Sequence, residues 1–537
     1  MSNFPPYTSP VAFDPRAVGG ARDGSNGSDV RSGGRSGGPG PDPGSRGAAR
    51  VAWVLCGVML AIIVAVQQLG TSALTGSGGQ SGAPVSIDPP SMDPTDLQAR
   101  LYVKLASATP SAALEAQFAD ALLTQAREAD MLSRVRAIIL LAARETRGGV
   151  SGNSAVDAAQ RDIRRALAEA DTNPAAADPR QAALRQLLLK DLDAAMVALQ
   201  RGPAALAPEQ REALIANHGW IGKLLVTRDE PETHPDRVAI ARGGLGLFIA
   251  MIAVGVVVIM ALLTGLVLLV LAGIARFSGE LRTHFAAPVP GGSMGLELLA
   301  VFMSAFVMLK VVTATLASAM PAVDTASVAL VLQWALLLVV FYPLLRGVSW
   351  SRTRAMLGLT LQRADGTRSS LARECAAGVV GYLAVVPLFV LGAVISVTLM
   401  LVWTAVRSML VGSAPPPVDN PIIDIVAGAG GWQLVAFALL ATVWAPLLEE
   451  LIFRGGVYRH LRSRLQWVFA GVFSALVFGL MHGYALLMLG PVIMLGLGFA
   501  MLREWRGSLI ACITAHFIHN ASVIALMVVM LRFLQMP

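Results

Sequence analysis

From residue 243 to the C-terminus the chain is a succession of long apolar runs, whereas residues 1–49 and 76–242 are polar or mixed. A bilayer core of roughly 30 Å is crossed by about 20 apolar residues in a helix. Runs that meet this length or approach it lie at 243–275, 296–320, 325–346, 375–406, 432–453, 467–482, 485–502 and 508–532. One more, Val51 to Gln67, stands near the N-terminus. Backbone groups in lipid must be satisfied within the spanning segment, so the runs are read as helices. The predicted fold is all-α: a polytopic membrane bundle of about eight helices plus one N-terminal signal-anchor helix, with a soluble extracytoplasmic helical domain between them.

The polar segments differ from one another. Residues 1–49 are rich in Gly, Ser, Pro and Arg and poor in aliphatic side chains, the composition of a disordered cytoplasmic tail. The run after it, within 50–75, follows too long a polar leader for a signal peptide and is read as an anchor. Residues 76–242 hold a Gly/Ser/Pro linker (76–93) and then an Ala-rich helical domain. There Leu114, Phe118, Leu122 and Leu123 recur at helical spacing, as do Ile138, Leu141 and Ala142, and Leu184, Leu187, Leu188, Leu192 and Met196. Breakers at Gly148-Gly149, Asn173-Pro174 and Gly202-Pro203 predict four or five helices. His218 and His234, near Asp229, Glu230 and Glu232, read as solvated loop residues rather than a metal site.

Charge changes the picture little. The chain has 537 residues, 55% hydrophobic and 14% charged, with net charge +7, mean hydropathy +0.61 and pI near 9.7. The arginines stand beside apolar runs, with no basic patch interleaved with aromatics, so a nucleic-acid partner is not expected. By the positive-inside rule, Arg46 and Arg50 put the N-terminus in the cytoplasm. Arg276 and Arg282, Arg352 to Arg373, Arg454 to Arg464, and Arg503 with Arg506 then alternate with loops nearly free of arginine. Nine spans satisfy this alternation in a plasma membrane of bacterial type. Cys56, Cys375 and Cys512 lie far apart and imply neither disulfides nor a zinc finger.

Ionisable groups at membrane depth are costly and ask for a reason. Three helices carry them: Glu449-Glu450 with Arg454, Phe478 with His482, and His516 with His519 and Asn520. Glu450 and Arg454 are i and i+4 and can neutralise each other. Glu449 is turned about 100° away and is left to face something else. His516 and Asn520 share a face, and Phe478 can pack on His482 one turn on. Converging, these helices would bring one carboxylate, two imidazoles and an amide together, a set suited to activating water and holding an oxyanion. His519 is off that face and reads as structural. Lys310 would snorkel or pair with Glu297 or Asp324.

The ordered motifs Glu449-Glu450-x-x-x-Arg454, Phe478-x-x-x-His482 and His516-x-x-x-Asn520 resemble those of the CPBP family. That family joins type II CAAX-prenyl endopeptidases with bacteriocin-processing and self-immunity (Abi) proteins. The resemblance covers roughly residues 375–537 and implies an intramembrane endopeptidase acting on protein or peptide substrates at the bilayer. It implies that Glu449 and His482 activate water, that His516 and Asn520 hold the oxyanion or help position the water, and that Glu450, Arg454 and Phe478 support them. No cofactor is expected. A zinc-dependent version of the protease would instead use Glu449, His482 and His516 as ligands, although no HExxH motif occurs and Asn520 beside the second histidine suits metal-free chemistry. Outside peptidase chemistry, the same fold could serve as a non-enzymatic scaffold or immunity protein and, more distantly, the chain could be a transporter. The substrate, and the partner of residues 76–242, are not readable from these motifs.

Overall fold

The computed structural model describes residues 41–69, 94–109, 118, 122, 131–144, 160–165, 179–320, 322–363, 366–411 and 431–535. Of the tail expected over 1–49, residues 1–40 lie outside these residues, as do the 76–93 linker, Leu114, Leu123 and the breakers at Gly148-Gly149 and Asn173-Pro174, while Arg46–Ala49 at its end are already helical. Among the described residues the chain is helical, and the β structure is a single isolated bridge between Gln362 and Arg368.

After α1 (Arg46–Leu69) come α2 (Pro94–Ala108), α3 (Met131–Arg144), α4 (Pro179–Arg201) and α5 (Pro208–Val226). The Gly202-Pro203 break falls where expected, between α4 and α5, as a single 3₁₀ turn at Pro203–Ala205. Helices α2 to α5 share a core of their own, with Val103, Ile138, Ile139, Leu192, Leu214 and Leu225 among its buried residues. His218 overturns its expected place. It lies inside α5, fully buried, with Nε2 3.0 Å from Asp191 Oδ2. Its helical register, not its polar neighbours in sequence, sets its surroundings. His234 instead caps the short α6 (Pro235–Ala241), its Nδ1 accepting the Asp236 N–H.

The membrane part comprises α7 (Gly244–Phe277), α8 (Met294–Ala319), α9 (Thr325–Leu345, with a 3₁₀ centre), the short α10 (Trp350–Leu357) and α11 (Leu371–Val411). Then follow α12 (Gly431–Arg462, with two π segments), α13 (Trp467–Leu480), α14 (Gly490–Arg506) and α15 (Leu509–Gln535). Seven helices among the described residues are long and apolar enough to cross a membrane: α1, α7 with α6 continuous before it, α8, α9, α11, α12 and α15. The chain is an integral membrane protein.

Nine spans are expected from sequence, and the runs at 467–482 and 485–502 account for the difference. They form α13 of 14 residues and α14 of 17 residues. At 1.5 Å per residue these are about 21 and 26 Å long, less than the roughly 30 Å of hydrocarbon. The two pack along one another as a hairpin, with α14 also against α11 and α15.

Close helix crossings depend on glycine. A Cβ on Gly295 of α8 would lie 2.4 Å from the Gly456 carbonyl oxygen of α12. Small residues let backbones approach in this way in membrane bundles. Gly295→Ala must therefore push α8 off α12, with an expected cost of about 1–3 kcal/mol. Thermal unfolding in detergent checks this, and an unchanged midpoint would contradict the crossing.

Lys310 pairs with neither expected partner. Glu297 is engaged by Arg346 and Tyr342, and Asp324 by Ser327 and Gln433. The Lys310 ammonium lies 5.5 Å from the centre of the Phe306 ring, one turn back on its own helix. Cys56, Cys375 and Cys512 are all free thiols.

Candidate active site

Helix α12 carries the two glutamates between two widened turns. Leu440–Trp444 and Leu451–Val457 are π-helical, and Ala445–Glu450 between them is α-helical. The first has a cause in the sequence. Proline has no N–H and crowds the carbonyl four residues back, so Pro446 favours a wider turn just before it. The Ala445 N–H donates to the Leu440 carbonyl, five residues back. In that register the next carbonyl, Ala441, is due a donor from Pro446 and receives none. The Asn520 side-chain amide supplies it, Nδ2 to Ala441 oxygen at 2.7 Å. Such π-bulges recur at functional sites.

The two carboxylates have separate surroundings. Glu450 is fully buried, and its Oε1 accepts from Arg454 Nη1 at 2.7 Å and His516 Nδ1 at 2.9 Å. Arg454 is buried as well. Its Nη2 donates to the Gly496 carbonyl at 3.1 Å, and its guanidinium lies 4.4 Å from the centre of Phe478 and 5.2 Å from that of Phe499. These contacts offset the cost of a cation at this depth, although its buried Nε has no hydrogen-bond partner.

Glu449 is 18% exposed and points elsewhere. Its Oε2 lies 4.0 Å from His482 Nε2 and 3.8 Å from His516 Nε2, with no hydrogen-bond partner of its own. These distances are too long for direct hydrogen bonds and suit a bridging water.

Each imidazole is held by its other nitrogen. His482 Nδ1 is 2.7 Å from the Phe478 carbonyl, an acceptor, so this nitrogen carries the proton. His516 Nδ1 likewise donates to Glu450. In the neutral rings both Nε2 atoms then present lone pairs toward Glu449. Phe478 packs edge-on against His482 at 4.5 Å, and Phe499 stacks on His516 at 5.1 Å and 28°.

The structure thus brings Glu449, His482 and His516 together and sets Glu450, Arg454 and Phe478 around them. Asn520 stands on the same helix as His516 but is anchored to Ala441. His519 faces away, edge-on to Tyr382 at 5.9 Å and Phe389 at 5.2 Å. Three contributors are not evident from the motifs: Gly496 and Phe499 of α14, and Glu450 as the partner of His516. Gly496, Phe499 and Arg503 stand at i, i+3 and i+7, one face of a helix, a spacing visible in the sequence. Helix α1 also reaches the site, where Gln67 Nε2 donates to the Met481 carbonyl at 3.3 Å, next to His482.

Residues 431–522 match the family model described as type II CAAX prenyl endopeptidase, Rce1-like. The chain carries an Rce1-like, CPBP-type protease segment. That segment spans α12, the α13–α14 hairpin and the first half of α15, and so contains all three motifs. The family described in these words is one of CAAX-type endopeptidases. No curated protein and no solved structure matches the chain.

Among the described residues no group of three His, Cys, Asp or Glu side chains is arranged to hold a metal ion. Anchoring both Nδ1 atoms on acceptors is an arrangement shared by catalytic and metal-binding histidines.

Proposed function

We propose that the protein is an endopeptidase that hydrolyses peptide bonds at the membrane with a water activated by Glu449. The supporting observation is the meeting of three acceptor edges, the Glu449 carboxylate and the two Nε2 lone pairs, at 3.8 and 4.0 Å. Three acceptors cannot bond one another, and a species bearing protons satisfies them. Water between Glu449 and His482 gives a proton to the carboxylate as its oxygen bonds to the scissile carbonyl carbon. The negative charge passes to the carbonyl oxygen. His516 Nε2 accepts the second hydrogen of that water and helps to position it, with the Glu450 charge behind its Nδ1. Asn520 braces the wide turn through Ala441, and its second amide hydrogen is available to the oxyanion. When the C–N bond breaks, the protonated Glu449 returns its proton to the leaving nitrogen, and the atoms balance.

The substrate in this reading is a membrane-associated protein cleaved near its C-terminus, in the manner the family description names. The arginine distribution supports an N-terminus in the cytoplasm of a bacterial-type plasma membrane. It places residues 1–49 inside, 50–75 across the bilayer, 76–242 outside and 243–537 in the membrane. The separate core of α2 to α5 favours a second reading, in which the outer segment binds a partner and the membrane part is a scaffold.

Membranes from cells bearing wild type or Glu449→Ala, compared by mass spectrometry of protein C-termini, separate the two. New C-termini confined to wild type are expected, and identical termini in both would sink the protease. Chelator treatment distinguishes the catalytic types. Undiminished cleavage is expected, whereas loss followed by recovery with added zinc would make Glu449, His482 and His516 metal ligands.

A further inference from the structure

At the arginine-rich ends of the spanning helices lies a cavity of about 380 Å³, distinct from the site on α12. Arg352, Arg363, Arg459 and Arg503 line it, and Asp42 is the carboxylate among its lining residues. Arg459 is committed to that carboxylate through Nε at 2.9 Å and Nη2 at 3.0 Å. The others are not balanced in this way. Arg503 is 1% exposed, stands with its guanidinium 5.0 Å from the centre of Phe285, and gives one hydrogen bond to the Gly507 carbonyl. Its Nε is buried with no hydrogen-bond partner, as is the Nε of Arg363. Arg363 approaches Glu374 only to 3.8 Å, and Glu374 is already held by both ends of the Arg506 guanidinium. Arg352 is exposed at the cavity's rim.

A buried guanidinium with one neutral acceptor and an unused N–H keeps hydrogen-bonding capacity that an anion in the cavity would complete. Planar guanidinium forks match the oxygens of phosphate better than any other common anion apart from carboxylate. The cavity's walls come from the ends of α12 and α14, from α10 and the segment after it, from the segment beyond α7 and from Pro41–Pro43 ahead of α1. That is the depth at which lipid headgroups meet a membrane protein.

We propose that this cavity is a binding site for a phosphate group, with Arg352, Arg363 and Arg503 as its ligands and Asp42 limiting Arg459 to a supporting place. The phosphate is that of an anionic phospholipid headgroup or of a small soluble phosphate, and the two sources are separable.

The test uses full-length protein in a neutral detergent and follows the thermal midpoint and native mass spectra. It is titrated with short-chain phosphatidylglycerol, short-chain phosphatidylcholine or inorganic phosphate. Saturable stabilisation by phosphatidylglycerol alone assigns a headgroup. Stabilisation by inorganic phosphate as well assigns a soluble phosphate. Arg352→Gln, on the rim, and Arg363→Gln should each weaken binding about tenfold, the equivalent of one charge-assisted hydrogen bond. Arg276→Gln with Arg282→Gln, outside the cavity, should leave it unchanged. Equal response to phosphatidylcholine, or equal weakening by the outside pair, would overturn the proposal. So would undiminished affinity in both cavity variants.

Discussion

Glu449→Gln is expected to lower peptide cleavage by about 10²–10⁴-fold, the usual contribution of a positioned general base, while leaving the protein at least as stable as wild type. The second half of that expectation distinguishes catalysis from structure. Glu449 Oε2 is buried and accepts no hydrogen bond, and its nearest cations or lone pairs are 3.8 and 4.0 Å away. Removing its charge therefore removes no direct contact with another side chain and relieves the cost of holding a carboxylate at low exposure beside two imidazole lone pairs. Sites arranged for chemistry commonly carry such a cost in stability. Cleavage of a membrane-embedded reporter and thermal unfolding, measured on the same preparation, decide the matter. A destabilised Glu449→Gln that still cleaves at the wild-type rate would make Glu449 a packing residue.

Arg454→Met should do the reverse. Its loss leaves Glu450 with a fully buried charge whose remaining partner is His516 Nδ1, and it empties the space between Phe478 and Phe499. Breaking a buried pair on one side costs about 3–5 kcal/mol, enough to deplete folded protein in detergent. Replacing both partners together, Glu450→Gln with Arg454→Met, should recover much of that stability, because no uncompensated charge remains. Activity should not recover, since His516 would lack its carboxylate. A double variant no more stable than Arg454→Met would show that the ring contacts, not the ion pair, hold this part of α12.

What can be read from sequence follows the strength of the local signal. The apolar runs are long enough to show as helices without any partner. The i, i+4 relation separates the roles of Glu449 and Glu450, because neighbouring residues on a helix must face different ways. The same relation places Phe478 on His482. Contacts made between helices stay hidden. Nothing along the chain says that Glu450 meets His516 or that the Gly496 carbonyl completes Arg454. The α13–α14 hairpin reads as two crossings because apolar content, not helix length, dominates the count. His218 is misread for a related reason, since its acidic neighbours in sequence say less than the apolar face it shares in α5. The proline at 446 is a visible cue to the wide turn, and the amide that answers it, on Asn520, lies far along the chain, beyond any local pattern.

The wide turns have a consequence for insertions and deletions. A π-bulge is one residue more than an ordinary helix would contain. Deleting a single residue between Leu440 and Trp444 would close α12 into regular α-helix with the segments on either side still in phase, because the bulge absorbs the residue removed. The cost would fall at the turn itself, where Pro446 would crowd the carbonyl four residues back and the Asn520 amide would lose the free carbonyl it now reaches at Ala441. The wide turn is thus what ties α15 to α12 beside the glutamates, and a shortened α12 with every motif side chain intact should lose that tie.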